Sequence, residues 1–321
     1  MNLRRFLAWR SWPDFAIEAT ARFSGQVRAV RKAIQRLPPD LRDRITVRWP
    51  RVYQWPLMSI LGDQIRDMLR QRVKVVITNL PQPYKGTILA AFEIDGRLHK
   101  VAFNMSDYPE CLSEECTSKT LVTFKSQFRK EGYPQHNVVP GGYLPRSTLL
   151  YDMLPYLRWV KARGRDLFDV YGRFSMEFSP GVRGDALRQL AGTSAFRFQG
   201  GDRPVRYSRY LREVARSRVC IDLPGQGPFC LRLVEYLAVG TCVVALPHPV
   251  RFQTSLIDGV HVSYCQNGSQ DLIHRCRALL EDVRTRRAME VAARAFFDRY
   301  LHRDRLCAYY LATVLAAADA E

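Results

Sequence analysis

One stretch of this 321-residue chain carries residue types able to do chemistry at a spacing that brings them together. It runs Leu223-Pro-Gly-Gln-Gly-Pro-Phe-Cys-Leu-Arg-Leu-Val-Glu-Tyr-Leu-Ala-Val-Gly-Thr-Cys-Val-Val-Ala245. An apolar strand ends, a Gly/Pro loop follows, and a helix is expected to begin at about Pro228-Phe229. Unpaired amide N–H groups at such a start, with the helix dipole behind them, form an anion site outside the carboxyl end of a strand. Arg232 and Glu235 stand three apart, on neighbouring positions of one helix face. A carboxylate there can accept two hydroxyl hydrogen bonds from a ribose, while the arginine and the helix amides hold phosphate. A plain surface Arg–Glu pair, worth roughly a few tenths of a kcal/mol, explains the same spacing equally well.

Hydrophobic patterning supplies the elements around this stretch. In the second half, strands at 167–171, 196–198, 219–223 and 242–246 alternate with helices at 183–191, 207–216 and 229–239, and two helices follow a strand at 260–264. Alternation of this length predicts a parallel sheet covered by helices on both faces. The first half predicts a helix at 57–71, a strand at 73–78, and a hairpin of 88–94 and 98–103 turning at Asp95-Gly96. A strand at 121–124 follows, then a Pro/Gly cluster at 132–143 and a helix at 147–162 that read as a domain boundary. The expected domains are 1–160 and 161–321, with the last helix (about 286–317) crossing back.

Composition narrows the class. Hydrophobic residues make up 47% and charged residues 25% of the chain, a globular balance. No apolar run approaches the roughly 18–20 residues that span a bilayer, and the start lacks the apolar core of a secretory signal, so a cytoplasmic protein is expected. The net charge is +18, and residues 1–80 alone hold 16 basic against 6 acidic groups. Such a field draws phosphate, whether on nucleotide, nucleic acid or lipid. Residues 13–37 pattern as an amphipathic helix with a basic face, which with Trp9 and Trp12 suits a solvated surface or an anchor on anionic lipid. The eight cysteines include no CxxC pair and read as reduced structural thiols. There is no GxxxxGK[ST] loop, HExxH, GxSxG or Asp-x-Asp pair, so neither a metal nor another cofactor is expected.

The 223–245 stretch resembles the donor-binding half of GT-B nucleotide-sugar glycosyltransferases. The likeness continues through Leu256-Ile-Asp-Gly-Val-His and Asp271 to Arg294, covering roughly 165–300. It implies two Rossmann-like α/β domains facing a central cleft, and transfer of a sugar from a nucleotide diphosphate sugar to an acceptor hydroxyl. In the family the glutamate on this helix grips the ribose, which falls on Glu235. Retaining members carry a second glutamate eight positions earlier, touching the sugar; that position here is Gly227. Arg232 just before the glutamate is similar to exostosin-like and related short bacterial transferases. The resemblance also places basic residues after the first strand of this domain, against the diphosphate, and Arg173 and Arg183 match that role, Arg173 by the closer spacing. The N–H groups of the 225–230 loop, which includes Gly227, Pro228 and Phe229, complete the phosphate site, the loop at Gly200 receives the nucleobase, and His248 reaches the sugar or phosphate.

A base for an inverting transfer must come from the other domain and lie within hydrogen-bond reach of the acceptor hydroxyl. Asp107, just past a strand end, is the first candidate, and His136, in a Pro-Gln-His-Asn loop, is the second. A turn aspartate capping local amides and an exposed loop histidine are the plainer readings of the two. Lys85 is a candidate for binding an anionic acceptor. The basic N-terminal quarter points to an acceptor that is a glycan or a lipid-linked intermediate, at an anionic membrane surface on the cytoplasmic side. Two other readings share these features: a glycosyltransferase acting on a nucleic-acid base, and a non-catalytic nucleotide- or anion-binding protein on the same fold.

Overall fold

The computed structural model describes residues 41–164, 166–266 and 271–321. The amphipathic segment 13–37, with Trp9 and Trp12, lies outside these residues. Two α/β units face one another, the arrangement that the GT-B resemblance implies.

The first unit opens with β1 (Ile45–Pro50), α1 (Pro56–Arg70) and β2 (Lys74–Thr78), followed by β3 (Thr87–Ile94) and β4 (Arg97–Asn104). It continues with α2 (Glu114–Ser118), β5 (Val122–Lys125), the two-residue β6 (Phe128–Arg129) and β7 (Val138–Pro140). The main sheet has the order β2-β1-β3-β4-β5-β7. It is mixed, because β3 runs antiparallel to both β1 and β4, turning at Asp95-Gly96 where both residues take positive φ. The strand pattern of the sequence omitted β1, which in fact lies beside the hairpin and buries Ile45, Val47 and Trp49. The carboxyl ends of β4, β5 and β7 and the amino end of β3 share one edge, since Thr87 pairs with Asn104 and Asn104 with Lys125.

The second unit begins with α3 (Leu149–Ala162), ahead of the expected break at residue 160. Tyr151, Leu154, Leu157 and Val160 of α3 bury against Leu211, Val214 and Leu237, so this helix belongs to the second core and the chain passes between units at 141–148. Then come β8 (Phe168–Arg173), α4 (Pro180–Gly192), β9 (Phe198–Gly201), α5 (Tyr207–Ala215), β10 (Ser217–Asp222), α6 (Leu231–Val239), β11 (Cys242–Ala245), the short β12 (Val250–Arg251) and β13 (Ser263–Tyr264). The sheet order is β13-β11-β10-β8-β9 and every pair is parallel. Runs such as Val219–Ile221 and Cys242–Ala245 are wholly buried, as strands covered on both faces must be. Helices α3, α5 and α6 cover one face; α4 and α7 (Asp271–Glu281) cover the other.

Where one last helix was expected over about 286–317, α8 (Val283–Phe296) ends in a π turn, Phe297–Leu301, which redirects the chain into α9 (Arg303–Ala318) against the first unit. Leu306, Cys307, Tyr310, Leu311 and Val314 complete the first unit's core. Tyr310 packs its edge on Phe124 at 4.8 Å between ring centroids, and its hydroxyl donates to the carbonyl of Gly141 at 2.6 Å. The units are also joined by a two-stranded ribbon in which β6 pairs antiparallel with β12, extended by Lys130 N–H donating to Pro249 O at 3.1 Å. No helix among the described residues is long and apolar enough to cross a membrane.

If α9 holds the first unit through Tyr310, Tyr310→Phe leaves the Gly141 carbonyl without its donor in a buried site. The expected cost is about 1–3 kcal/mol, seen as a lower urea midpoint with an unchanged slope.

Candidate active site

The carboxyl ends of β8 and β10 lie side by side at the centre of the second sheet, and the loops that leave them build the site. Arg183, on the first turn of α4, is 2% exposed. Its guanidinium ties the two loops together: Nη1 donates to Ser175 O at 2.5 Å, Nε to Pro224 O at 2.9 Å, and Nη2 lies 3.7 Å from Cys230 Sγ. Ser179 precedes α4 in the left-handed region at φ 47°, and its hydroxyl donates to Gly225 O at 2.6 Å. Arg232, on the first turn of α6, donates from Nη2 to Leu223 O at 2.7 Å and lies over the Phe174 ring at 4.8 Å.

These two guanidiniums are close enough that Arg232 opposes the charge on Arg183, adding to burial in drawing Arg183 below its ordinary range. Their shared counter-charge is Asp222, fully buried at the end of β10, with Oδ1 3.3 Å from Arg232 Nη2. Neither Asp222 oxygen makes a hydrogen bond of good geometry. Asp222 is the carboxylate in ion-pair contact with Arg232, and Glu235, one turn along α6, feels the same guanidinium at longer range, so the cationic pair under the loop 222–231 is matched in part and an added anion would complete it. The backbone start of α6 adds to that polarity, since Cys230 caps it with no side-chain hydrogen bond.

Glu235 lies one turn further along α6, 2% exposed. Its Oε1 accepts from the Tyr207 hydroxyl at 2.7 Å and from the Arg146 N–H at 3.1 Å. Burial pushes the carboxyl up, and Tyr207, Tyr210 and the Arg146 amide partly offset this. Tyr207 and the 141–148 passage thus close over the carboxylate that the sequence assigned to a ribose. Arg173 is placed differently from Arg183. Its Nε donates to Glu213 Oε2 at 3.0 Å and its Nη1 to Arg203 O at 3.1 Å, while Glu213 Oε1 also takes Arg209 Nε at 3.0 Å, so Arg173 is tied into the β8–β9–α5 layer. The sequence spacing favoured Arg173 for the diphosphate; the geometry favours Arg183. Gly200 sits opposite Gly172 on β9, where φ +154° and the nearby Gly172 carbonyl exclude a side chain. His248 is buried, with Nδ1 3.0 Å from the Tyr264 hydroxyl and Nε2 3.7 Å from Asp222, so it braces that carboxylate.

Gly227 explains why no glutamate stands there. A Cβ built on it collides with the carbonyl oxygen of Asp107 and comes within 2.7 Å of Gln127 Nε2. Gln127 clamps the same loop: its Oε1 accepts from Phe229 N–H and its Nε2 donates to Phe229 O, both at 3.0 Å. The amide of Phe229 is therefore committed to Gln127, and its ring stacks on Phe252 at 4.2 Å. Gln226 Nε2 donates to the Tyr108 hydroxyl at 2.8 Å. The loop over the cationic floor is thus laid directly on the first unit.

Asp107 follows the carboxyl end of β4 at this junction. Burial raises its carboxyl above the usual range, while the Lys125 charge and the Tyr143 hydroxyl draw it down. Lys85 is exposed on the same edge, its Nζ 6.0 Å from the Trp55 ring, and Gly86 packs on Ser106. His136 is not brought there. It precedes the amino end of β7, where Asn137 O accepts from Thr123 N–H at the start of β5, so an exposed His136 sits at the opposite edge of the sheet. Among the described residues no group of three or more His, Cys, Asp or Glu side chains could hold a metal ion. All eight cysteines are free thiols. Gln127, Asp222 and Tyr207 were not singled out from the sequence, and their roles depend on partners 10 to 102 residues away.

The domain approach predicts a graded response to side-chain bulk. Gly227→Ala should cost about 1–3 kcal/mol through overpacking against Asp107 and Gln127, read as a drop in melting temperature. Ala at Gly181, which meets nothing within 4 Å, should leave it unchanged.

Residues 161–313 match the family model described as "Glycosyl transferase-like". No curated protein sequence matches the chain significantly. Among solved structures, the chain is similar to a point mutant of S. aureus TarM in complex with Fondaparinux, alpha-GlcNAc-glycerol and UDP, at 10% identity and a TM-score of 0.42, over 62% of this chain and 44% of that one. It is similar to Anabaena Alr3699/HepE in complex with UDP-glucose, at 16% identity and 0.37, over 64% and 70%. It is also similar to the pneumococcal O-GlcNAc transferase GtfA in complex with UDP and GlcNAc, at 14% identity and 0.39, over 63% and 46%. The chain therefore spans less than half the length of two of these three. Arg183, Arg232, Glu235 and Gly227 all fall within the stretch, residues 161–313, that matches the glycosyl transferase-like family model.

Proposed function

We propose that this chain is a glycosyltransferase that moves a sugar from a nucleoside diphosphate sugar to an acceptor hydroxyl. The observation that carries the reading is the pair of buried guanidiniums, Arg183 and Arg232, sharing one carboxylate at the carboxyl ends of β8 and β10. A nucleoside diphosphate supplies the anion this floor lacks. As the bond from the sugar to the diphosphate breaks, charge grows on the leaving group, and fixed cations answer it without reorganisation. In this reading the two guanidiniums do this without a metal, with the loop's contribution limited because the Gly225 and Phe229 N–H groups already have partners and Pro228 has none. Glu235 accepts ribose hydroxyls when Tyr207 turns aside, and the released Tyr207 hydroxyl then takes a new partner on the nucleotide or in solvent, since a buried donor left unpaired costs about 1–3 kcal/mol.

Asp107 is the proposed base. It takes the proton of the acceptor hydroxyl as that oxygen forms its new bond to the sugar, giving an inverting transfer. Lys85, exposed on the same edge, meets an anionic part of the acceptor. The acceptor class that suits so basic a chain is a glycan or a lipid-linked intermediate at an anionic membrane surface.

Turnover of labelled UDP-, GDP-, ADP- and dTDP-hexoses, assayed with and without EDTA, tests the reading. With the donor that reacts, Asp107→Asn should lower kcat by about 10²–10⁴ and leave nucleotide affinity intact. Arg232→Met should weaken the nucleotide itself. Because the base must be ionised, kcat/KM should fall as pH drops through a midpoint above the ordinary aspartate value of about 3.9. Binding of a nucleotide with no turnover on any acceptor would favour a non-catalytic protein, consistent with the missing side chain at Gly227.

A further inference from the structure

We infer that Lys125 is the positioning residue of the Asp107 loop: its ammonium, shut off from solvent at the end of β5, fixes that loop through three hydrogen bonds and supplies the charge that keeps the Asp107 carboxylate ionised. Lys125 is 0% exposed, an unusual place for an ammonium. It has no salt bridge within 4 Å among the described residues; its partners are Asn104 Oδ1 at 2.8 Å, Ser106 O at 3.2 Å and Tyr108 O at 2.8 Å. All three lie within four residues of Asp107, and the three bonds use every donor the ammonium has.

The same acceptors organise the loop's own amides. Asn104 Oδ1 also accepts from Ser106 N–H at 3.2 Å, and Tyr108 O from Cys111 N–H at 3.2 Å. Removing the ammonium therefore loosens both ends of the turn that presents Asp107 and lays its carbonyl against Gly227. Burial lowers the Lys125 pKa to about 8; Cys111, Glu110 and Asp107 favour its charge and Arg129 opposes it. A neutral amine has two protons for three acceptors, so the hold weakens as pH rises past that value.

Only the bearing on sugar transfer rests on Asp107 being the base. The test is a carbon-13 NMR titration of the aspartate carboxyls, with Asp107 assigned by its loss in Asp107→Asn, in the wild-type protein and in Lys125→Met. The inference predicts that, with the Lys125 charge gone, Lys125→Met shifts the Asp107 midpoint upward. It also predicts about tenfold faster amide exchange at Ser106 and Cys111. An unmoved midpoint with unchanged exchange overturns it. Should Lys125→Met not fold, exchange in the wild-type protein decides. Corrected for intrinsic rates, protection at Ser106 and Cys111 should fall between about pH 7 and 9.5, and a flat profile overturns the inference. Wild-type turnover by Asp107→Asn would instead overturn the base assignment, leaving the titration and exchange results to judge Lys125 alone.

Discussion

Two arginines that share one buried carboxylate set the terms for the second unit. Arg183 and Arg232 are held by backbone carbonyls at Ser175, Pro224 and Leu223. Main-chain oxygens carry only partial charge, so they orient the guanidiniums without neutralising them. Asp222, the nearest full negative charge, can match one cation and not two. The parallel sheet makes this possible because it ends β8 and β10 at the same level and sends both loops over one edge. Ser179 in its left-handed conformation and the Arg183 staple then lock the loops together. In the proposed function this cationic floor receives the diphosphate.

The first unit contributes by contact across the junction. The β6–β12 ribbon, the Gln127 clamp on Phe229 and the crossing of α9 join the units at three separated points. Gly227 lies against the first unit, and the collision of any Cβ with the Asp107 carbonyl gives the glycine a structural reason. The sugar-contacting glutamate of retaining relatives has no room here. What faces the loop instead is the carbonyl of Asp107, with the carboxylate of the same residue beside it under the influence of Lys125.

Much of the second unit was legible because its central strands carry short apolar runs, Val219–Ile221 and Cys242–Ala245, separated by helices of the right period. The helix placed at 229–239 runs 231–239, and the parallel sheet follows from alternation alone. The resemblance located Arg232, Glu235 and Gly227 on one loop and helix. Side-chain direction was not legible. Arg173 and Arg183 look alike in a basic chain, and only the placement of Glu213 beside Arg173 separates them. Lys125 and Gln127 sit in Leu121-Val-Thr-Phe-Lys-Ser-Gln-Phe128, where polar residues at a strand end read as solvent-facing. Their burial comes from partners on other elements. The ribbon was hidden for a similar reason: each strand has two residues, and the pairing joins positions about 120 apart.

The central claim is that Arg183 and Arg232 form a diphosphate site. Calorimetric titration of the wild-type protein with UDP, GDP, ADP, CDP and dTDP, each beside its monophosphate and in EDTA, tests it most directly. The account predicts that one diphosphate binds at least about tenfold tighter than its monophosphate, a difference of about 1.4 kcal/mol, and that Arg232→Met removes the difference. Equal affinity for the mono- and diphosphate, or no binding by any nucleotide, would contradict it.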